Sequence, residues 1–246
     1  MRRLVAAFAC RIAGSRLYGK PLQLLDIERR VSVLDHIIEL ARSESAIAEV
    51  VLGIAEGVGN DAFVEVARQH GIKHIRGSEK DVLSRLILCG EAGQATDVFR
   101  VTTESPYYYF EMIGDVWRRH VEAGNDVTVC DGLPAGSHFE IYSMDALRRS
   151  HERGDSRHRS EYCSLYVREH RDEFRIEVLP IPAELERMDL RLTIDYPEDL
   201  VLCRAVYEKF RALAPRIPLT NIVEFLDESP QLRALVAPFA HTSRLF

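Results

Sequence analysis

The chain has 246 residues, 46% of them hydrophobic and 28% charged, with a formal net charge of -6. That length holds one large domain, or one domain with a sub-domain, and a core big enough to need no covalent staples. The acidic balance excludes general binding to nucleic acid, so any cationic site must be local. No apolar run approaches the roughly 20 residues of a membrane span.

Arg2 and Arg3 precede an apolar run, Leu4 to Ala9, too short for the h-region of a signal peptide. A cytoplasmic location is expected. Five cysteines, an odd number with no C-x-x-C pair, suit reduced thiols there. Cys89, Cys130 and Cys203 stand in apolar stretches and are expected in the core.

Leu4–Phe8 reads as a buried first strand. It opens into Arg11-Ile12-Ala13-Gly14-Ser15-Arg16-Leu17-Tyr18-Gly19-Lys20-Pro21-Leu22. Two glycines let backbone N–H groups approach an anion, and Arg11, Arg16 and Lys20 add fixed positive charge. Such a loop can hold polyphosphate; a solvated basic turn is the alternative. It is neither a P-loop nor the G-x-G-x-x-G fingerprint, since both strings are absent.

The next elements alternate. Val33–Ala41 reads as a helix, Val50–Ala55 as a strand, Asp61–Gln69 as a helix and Ile72–Ile75 as a short strand. Asp81–Gly90 reads as a helix, Val98–Val101 as a strand, Glu111–Ala123 as a helix and Val127–Cys130 as a strand. Between them, Tyr107-Tyr108-Tyr109-Phe110 is expected to pack a helix start against the core. The rhythm implies an α/β protein whose mainly parallel sheet has helices on both faces. Ligands then sit beyond the carboxyl ends of the strands, where the loops after the first and fourth strands both lie.

From Asp131 the rhythm changes. Phe139–Tyr142 reads as a short strand, Ser150 to Ser160 as a charged loop, Glu161–Glu169 as a helix and Phe174–Leu179 as a strand. Leu133 to about Arg187 is expected to leave the sheet as a lid or dimerisation arm. Its histidines, His151, His158 and His170, do not have zinc-ligand spacing. Arg191–Ile194 reads as a returning strand, Pro197 to Phe210 as a helix, and a final helix is expected from Thr220 or Asn221. The division is a 1–210 domain carrying the 133–187 excursion, and a 211–246 appendage.

Two acids follow strands: Glu104 in Val101-Thr102-Thr103-Glu104-Ser105-Pro106, and Asp195 in Leu192-Thr193-Ile194-Asp195-Tyr196-Pro197. Magnesium accepts one or two carboxylates together with substrate phosphates, so a basic loop plus two acids is equipment for nucleotidyl transfer. Asp195 as a simple helix cap is the alternative. Ser15 has no His/Asp partner set, which argues against a serine hydrolase.

These residues carry a resemblance. Arg11-x-x-Gly14-Ser15-Arg16-Leu17-x-Gly19-Lys20-x-Leu22 resembles the N-terminal signature of the sugar-activating cytidylyltransferases, the group of the acylneuraminate and 3-deoxy-manno-octulosonate enzymes. The likeness is strongest to its spore-coat polysaccharide branch. Arg76-Gly77-Ser78-Glu79-Lys80-Asp81-Val82-Leu83-Ser84-Arg85 is similar to FRGSxxDVLxRY, and Val101–Pro106 lines up with ITGDCP. Pro134-Ala135-Gly136-Ser137-His138-Phe139-Glu140 resembles PxGxDxE, and Leu190–Leu200 resembles LRLTVDTPEDL.

The resemblance implies a nucleotide-diphospho-sugar transferase fold, with CTP as donor, Mg²⁺, pyrophosphate as product and a homodimer built through the mid-chain excursion. It implies that Arg11, Gly14, Ser15, Arg16 and Lys20 hold the triphosphate. Arg76, Gly77 and Ser78 would lie near base and ribose, with Thr102 and Glu104 also at the nucleotide. Glu104 and Asp195 would face the metal, and Glu140 and His138 the small-molecule acceptor. Arg11, Arg16, Lys20 and Asp195 would carry catalysis. A different base specificity, or a catalytically degenerate nucleotide-binding protein, stays open. Four departures bear on this: Tyr18 for proline, Thr103 for glycine, Glu104 for aspartate, and His138 for an acid.

Overall fold

The computed structural model describes residues 2–14, 16–240 and 246. The first strand, β1 (Leu4–Cys10), has Leu4, Ala6, Phe8 and Cys10 in one apolar cluster and Val5 and Ala7 in another. Side chains alternate along a strand, so a run apolar at every position belongs inside a sheet covered on both faces. After it come a small antiparallel pair, β2 (Leu24–Asp26) and β3 (Val31–Ser32), then α1 (Val33–Arg42). Ser32 starts α1 with a capping box: its hydroxyl accepts from the Asp35 N–H, and the Asp35 carboxylate accepts from the Ser32 N–H.

The chain then alternates as expected through β4 (Ile47–Ala55), α2 (Asp61–His70), β5 (Lys73–Gly77), α3 (Val82–Ala92), β6 (Asp97–Arg100), α4 (Ile113–Ala123) and β7 (Val127–Cys130). It continues through β8 (Glu140–Ser143), α5 (Met144–Arg153), α6 (Leu165–Glu169), β9 (Ile176–Leu179) and α7 (Pro197–Lys209), and ends in α8 (Leu219–Asp227) and α9 (Pro230–Val236). The seven-stranded sheet has the order β5-β4-β1-β6-β8-β7-β9. Only β8 runs antiparallel to its neighbours in it. This is the mainly parallel α/β sheet that the alternation implies.

Four readings need correction. The segment from Leu133 to Arg187 does not leave the sheet: it returns β8 between β6 and β7 and adds β9 at the edge. The charged stretch from Ser150 to Ser160 is not all loop: up to Arg153 it belongs to α5, which is capped by the Ser143 hydroxyl and turns Met144, Ala146 and Leu147 inward. Arg191–Ile194 is not a strand. It is joined to Ala135 by a single bridge, through Leu192 N–H to the Ala135 carbonyl at 2.6 Å and Ala135 N–H to the Leu190 carbonyl at 3.0 Å. The residues beyond 210 carry two helices instead of one, and Ile222, Leu226 and Val236 are buried in the same core as Phe8 and Phe99.

Tyr107, Tyr108, Tyr109 and Phe110 are buried, with the Tyr107 hydroxyl donating to the Cys203 carbonyl at 2.6 Å. All five cysteines are buried and free, and burial pushes the Cys163 thiol up to about 11 and the Cys10 thiol up to about 12. Among the described residues no helix is long and apolar enough to cross a membrane.

Candidate functional site

β1 and β6 are parallel neighbours, so the loops at their carboxyl ends emerge side by side. The first is shaped by close approaches. A Cβ on Gly14 would fall 2.3 Å from the Leu17 carbonyl oxygen, and Gly19 takes a left-handed φ of 60° while its N–H bonds the Ile12 carbonyl. Asn60 pins the loop by accepting from the Ile12 N–H at 2.7 Å. Lys20 then opens a 3-10 turn with Pro21 buried behind it, which leaves its side chain 15% exposed.

The second loop, 102–105, is joined to the stretch before α7. The Ile194 N–H donates to the Glu104 carbonyl at 2.9 Å, and Thr102, Ser105 and Thr193 form a hydroxyl chain at 2.7 and 3.2 Å. Thr103, in the place of the glycine in the motif this loop resembles, keeps an ordinary backbone and donates its hydroxyl to the Ala9 carbonyl at 3.1 Å. The two acids thus reach one cleft, of about 410 Å³, which the basic loop also lines.

Asp195 does not serve as the helix cap. Asp199 does, accepting the Asp195 and Tyr196 N–H groups at 2.8 and 2.9 Å. The Asp195 carboxylate meets three cations instead. Oδ1 accepts from Lys20 Nζ at 2.5 Å and Arg16 Nη2 at 2.9 Å, and Oδ2 accepts from Arg191 Nη2 at 2.7 Å. Burial works against its charge, but Lys20, Arg191 and Arg16 outweigh burial and hold its pKa below the usual carboxylate value. Glu104 differs. Burial raises its pKa, the nearby Asp195 raises it further, Lys20 counters in part, and it forms no ion pair with a described residue.

Of the residues expected here, the cleft brings together Arg11, Gly14, Arg16, Lys20, Thr102, Glu104, Glu140 and Asp195. Ser15 lies outside the described residues. Arg11 Nη2 donates to Glu161 Oε2 at 2.8 Å, tying the loop to the segment before α6. Glu140 is buried on β8 opposite Arg100, its register partner on β6, and accepts from Arg100 Nη1 at 2.6 Å. His138 is not in the cleft. It faces a side cavity of about 190 Å³ that shares Thr102, Glu104 and Glu140 as a wall.

Arg76, Gly77 and Ser78 are not in the cleft either. Arg76 pairs with Asp61 on the surface, and the Ser78 hydroxyl accepts from the Asp81 N–H at 3.2 Å, building the start of α3. What their motif delivers is its last residue. Arg85 is 1% exposed, lines the cleft, and donates from Nη1 to the Cys10 and Gly53 carbonyls at 3.0 and 2.8 Å. It has no carboxylate partner among the described residues, and burial lowers its pKa. Its signal in the sequence is a lone arginine on the apolar face formed by Val82, Leu86 and Cys89. Arg168 on α6 also lines the cleft without an ion pair to any described residue.

Arg191 ties these parts together. Buried, it donates from Nε to Asp199 Oδ1 at 2.8 Å as well as to Asp195. Arg191→Met leaves the buried Asp199 without its counter-charge, so a loss of about 3 kcal/mol is expected, read as a lower urea midpoint at unchanged slope. A loss below about 1 kcal/mol would show that the two backbone N–H groups alone satisfy Asp199.

No cluster of three metal-ligating side chains exists among the described residues. A magnesium ion that takes most of its ligands from phosphates and water needs no more than the two carboxylates present, so the donor set fits one. His151, His158 and His170 are held instead by Asp81, by Asp155 and Glu169, and by the Tyr166 carbonyl.

No family model matches the chain. It is 25% identical to the spore coat polysaccharide biosynthesis protein SpsF of Bacillus subtilis, over 94% of this chain and 96% of that one. It is 23% identical to an uncharacterised protein of Methanocaldococcus jannaschii, over 94% and 93% of the two. Among solved structures, a cytidylyltransferase from Leptospira borgpetersenii superposes with a TM-score of 0.84 at 18% identity, over 94% of this chain and 97% of that one. CMP:2-keto-3-deoxy-manno-octonic acid synthetase complexed with CTP superposes with 0.64 at 15% identity, over 84% and 99%. The fold is that of the nucleotide-diphospho-sugar transferases, and over nearly its whole length the chain is similar to a spore-coat polysaccharide biosynthesis protein and, in fold, to sugar-activating cytidylyltransferases.

Proposed function

We propose that the protein transfers a cytidylyl group from CTP to a sugar-related acceptor, releasing pyrophosphate. One observation carries this: Lys20 and Arg16 of the basic loop meet Asp195 at the mouth of a cleft that Glu104 also lines. An acceptor oxygen attacks the α-phosphorus, the bond to the β-phosphate oxygen breaks, and the acceptor proton passes to solvent. Arg11, Arg16 and Lys20 stabilise the charge gathering on the departing pyrophosphate, and fixed cations at a developing charge need no reorganisation. Arg85, a desolvated cation at the carboxyl ends of β1 and β4, adds to the same field. Glu104 and Asp195 would hold Mg²⁺, which when bound neutralises phosphate charge. A homodimer through the 133–187 segment belongs to this reading, and light scattering at a monomer mass would overturn that part.

A donor screen for pyrophosphate release tests the assignment. CTP is expected to be preferred; a purine nucleotide used better than CTP would overturn it, and binding of CTP without turnover on any acceptor would leave a nucleotide-binding protein.

Glu104 supplies a pH signature. Its carboxyl must be ionised to face a dication, so kcat/KM falls as pH drops through its raised pKa, at a higher pH than an ordinary glutamate would give. Glu104→Asp shortens the arm by about 1.5 Å. It is expected to change the ratio of Mg²⁺- to Mn²⁺-supported rates, because magnesium tolerates little error in its octahedron. An unchanged ratio would show that the site does not read this length.

A further inference from the structure

A second cavity, of about 460 Å³, shares no lining residue with the cleft. Its walls are the β2–β3 turn, one face of α1, the end of α2, and the end of α7 with the residues after it. Three observations set it apart from an incidental groove. First, Arg30 at its rim holds a left-handed φ of 57°, a conformation that glycine takes freely and a residue with a Cβ seldom does. Arg30 forms no ion pair with a described residue, so no contact inside the protein accounts for an arginine there.

Second, His36 lines the cavity, is 2% exposed, and its Nε2 has no hydrogen-bond partner. Burial pushes its pKa down to about 4, so the ring is neutral and one nitrogen is a bare acceptor. Tyr107 and Tyr207 hold it in edge contacts at 5.7 and 5.5 Å. Third, the acids of this region are already committed. His70 bridges Asp35 at 2.8 Å and Glu39 at 3.0 Å, and Asp26 pairs with Arg211 at 3.1 Å and, at the longer distance of 4.0 Å, with Arg29, which leaves Arg30 as the uncommitted charge. What is left for a ligand is positive charge at the rim and neutral polar groups below it.

We propose that this cavity binds the phosphate monoester of a small hydroxyl-bearing metabolite, with the phosphate at Arg30 and Arg29 and a hydroxyl donating to His36. A cavity of this size suits such a ligand. The site is also joined to the cleft. α7 starts just after Asp195 and carries Tyr207 in its last turn, and Arg204 on it donates to the Leu24 carbonyl of β2, just beyond the Lys20 turn.

The test is calorimetry on the full chain with a hexose 6-phosphate and with inorganic phosphate, in a Lys20→Ala background that weakens anion binding at the cleft. The hexose phosphate is expected to bind saturably, at least about fivefold tighter than inorganic phosphate, and to lose at least that factor when Arg30→Gly is added. Arg30→Gly removes the charge and accepts the left-handed backbone, so its melting temperature should match or exceed that of the parent. No saturable binding, equal binding to both probes, or equal binding with and without Arg30→Gly would overturn the proposal. Because only binding is read, and not pyrophosphate release, failure here leaves the proposed reaction untouched.

Discussion

Lys20→Ala lowers kcat/KM for pyrophosphate release by at least about a hundredfold while the protein stays folded. The size follows from position. Gly19 turns the chain with its left-handed φ, Pro21 is buried, and the ammonium is delivered through a largely enclosed stem to Asp195 Oδ1. A cation held in advance at the mouth of a narrow cleft stabilises transferred charge more than a mobile one on the surface. The stability change is small, about 1 kcal/mol, because Asp195 keeps Arg16 and Arg191. Lys20→Arg does not restore the rate, since a planar fork cannot occupy the place of a compact ammonium between Pro21 and Asp195. Wild-type turnover in Lys20→Ala would remove the basic loop from the mechanism.

How far these parts could be read from the sequence depends on the kind of signal each carries. β1 and the loop after it are legible because an unbroken apolar run ending in glycines and cations has few other uses. Glu104 is legible as an acid after a strand and Asp195 as an acid before a helix, although the strand expected ahead of Asp195 does not form, and that the two loops meet shows only in the Ile194–Glu104 and Ser105–Thr193 hydrogen bonds. α5 was hidden by its charges. Arg149 is held by Asp145 one turn earlier on α5, and by Asp126 and the Phe174 ring, which come from distant parts of the chain. Arg191–Ile194 fails in the opposite way: Leu192 and Ile194 are buried like strand residues, but no strand lies alongside to pair with. The motif at Arg76–Arg85 shows a third limit. Its string can be matched, yet the rotation of α3 is what turns Arg85 into the cleft, while Arg76 stands on the edge strand β5 and pairs at the surface.

Asp195→Ala separates two roles that one carboxylate now combines. With Mg²⁺ and CTP, turnover is expected to fall by at least about a hundredfold, since a ligand of the phosphate-bound dication is lost. Without metal, the same variant is expected to bind pyrophosphate several-fold more tightly than the wild type. The reason is competition: Asp195 Oδ1 holds both Lys20 and Arg16, and any anion entering the loop must share or displace that carboxylate. Stability gives an independent reading. Because the Asp195 pKa is lowered in the fold, its contribution is present at neutral pH and is lost as pH falls below the unfolded value toward the folded one. The wild type should therefore lose more stability than Asp195→Ala between about pH 5 and pH 2. A variant that bound metal-free pyrophosphate more weakly than the wild type would show that Asp195 organises the cations rather than competing for them. Slow turnover would then be a consequence of a collapsed loop and not of a missing metal ligand.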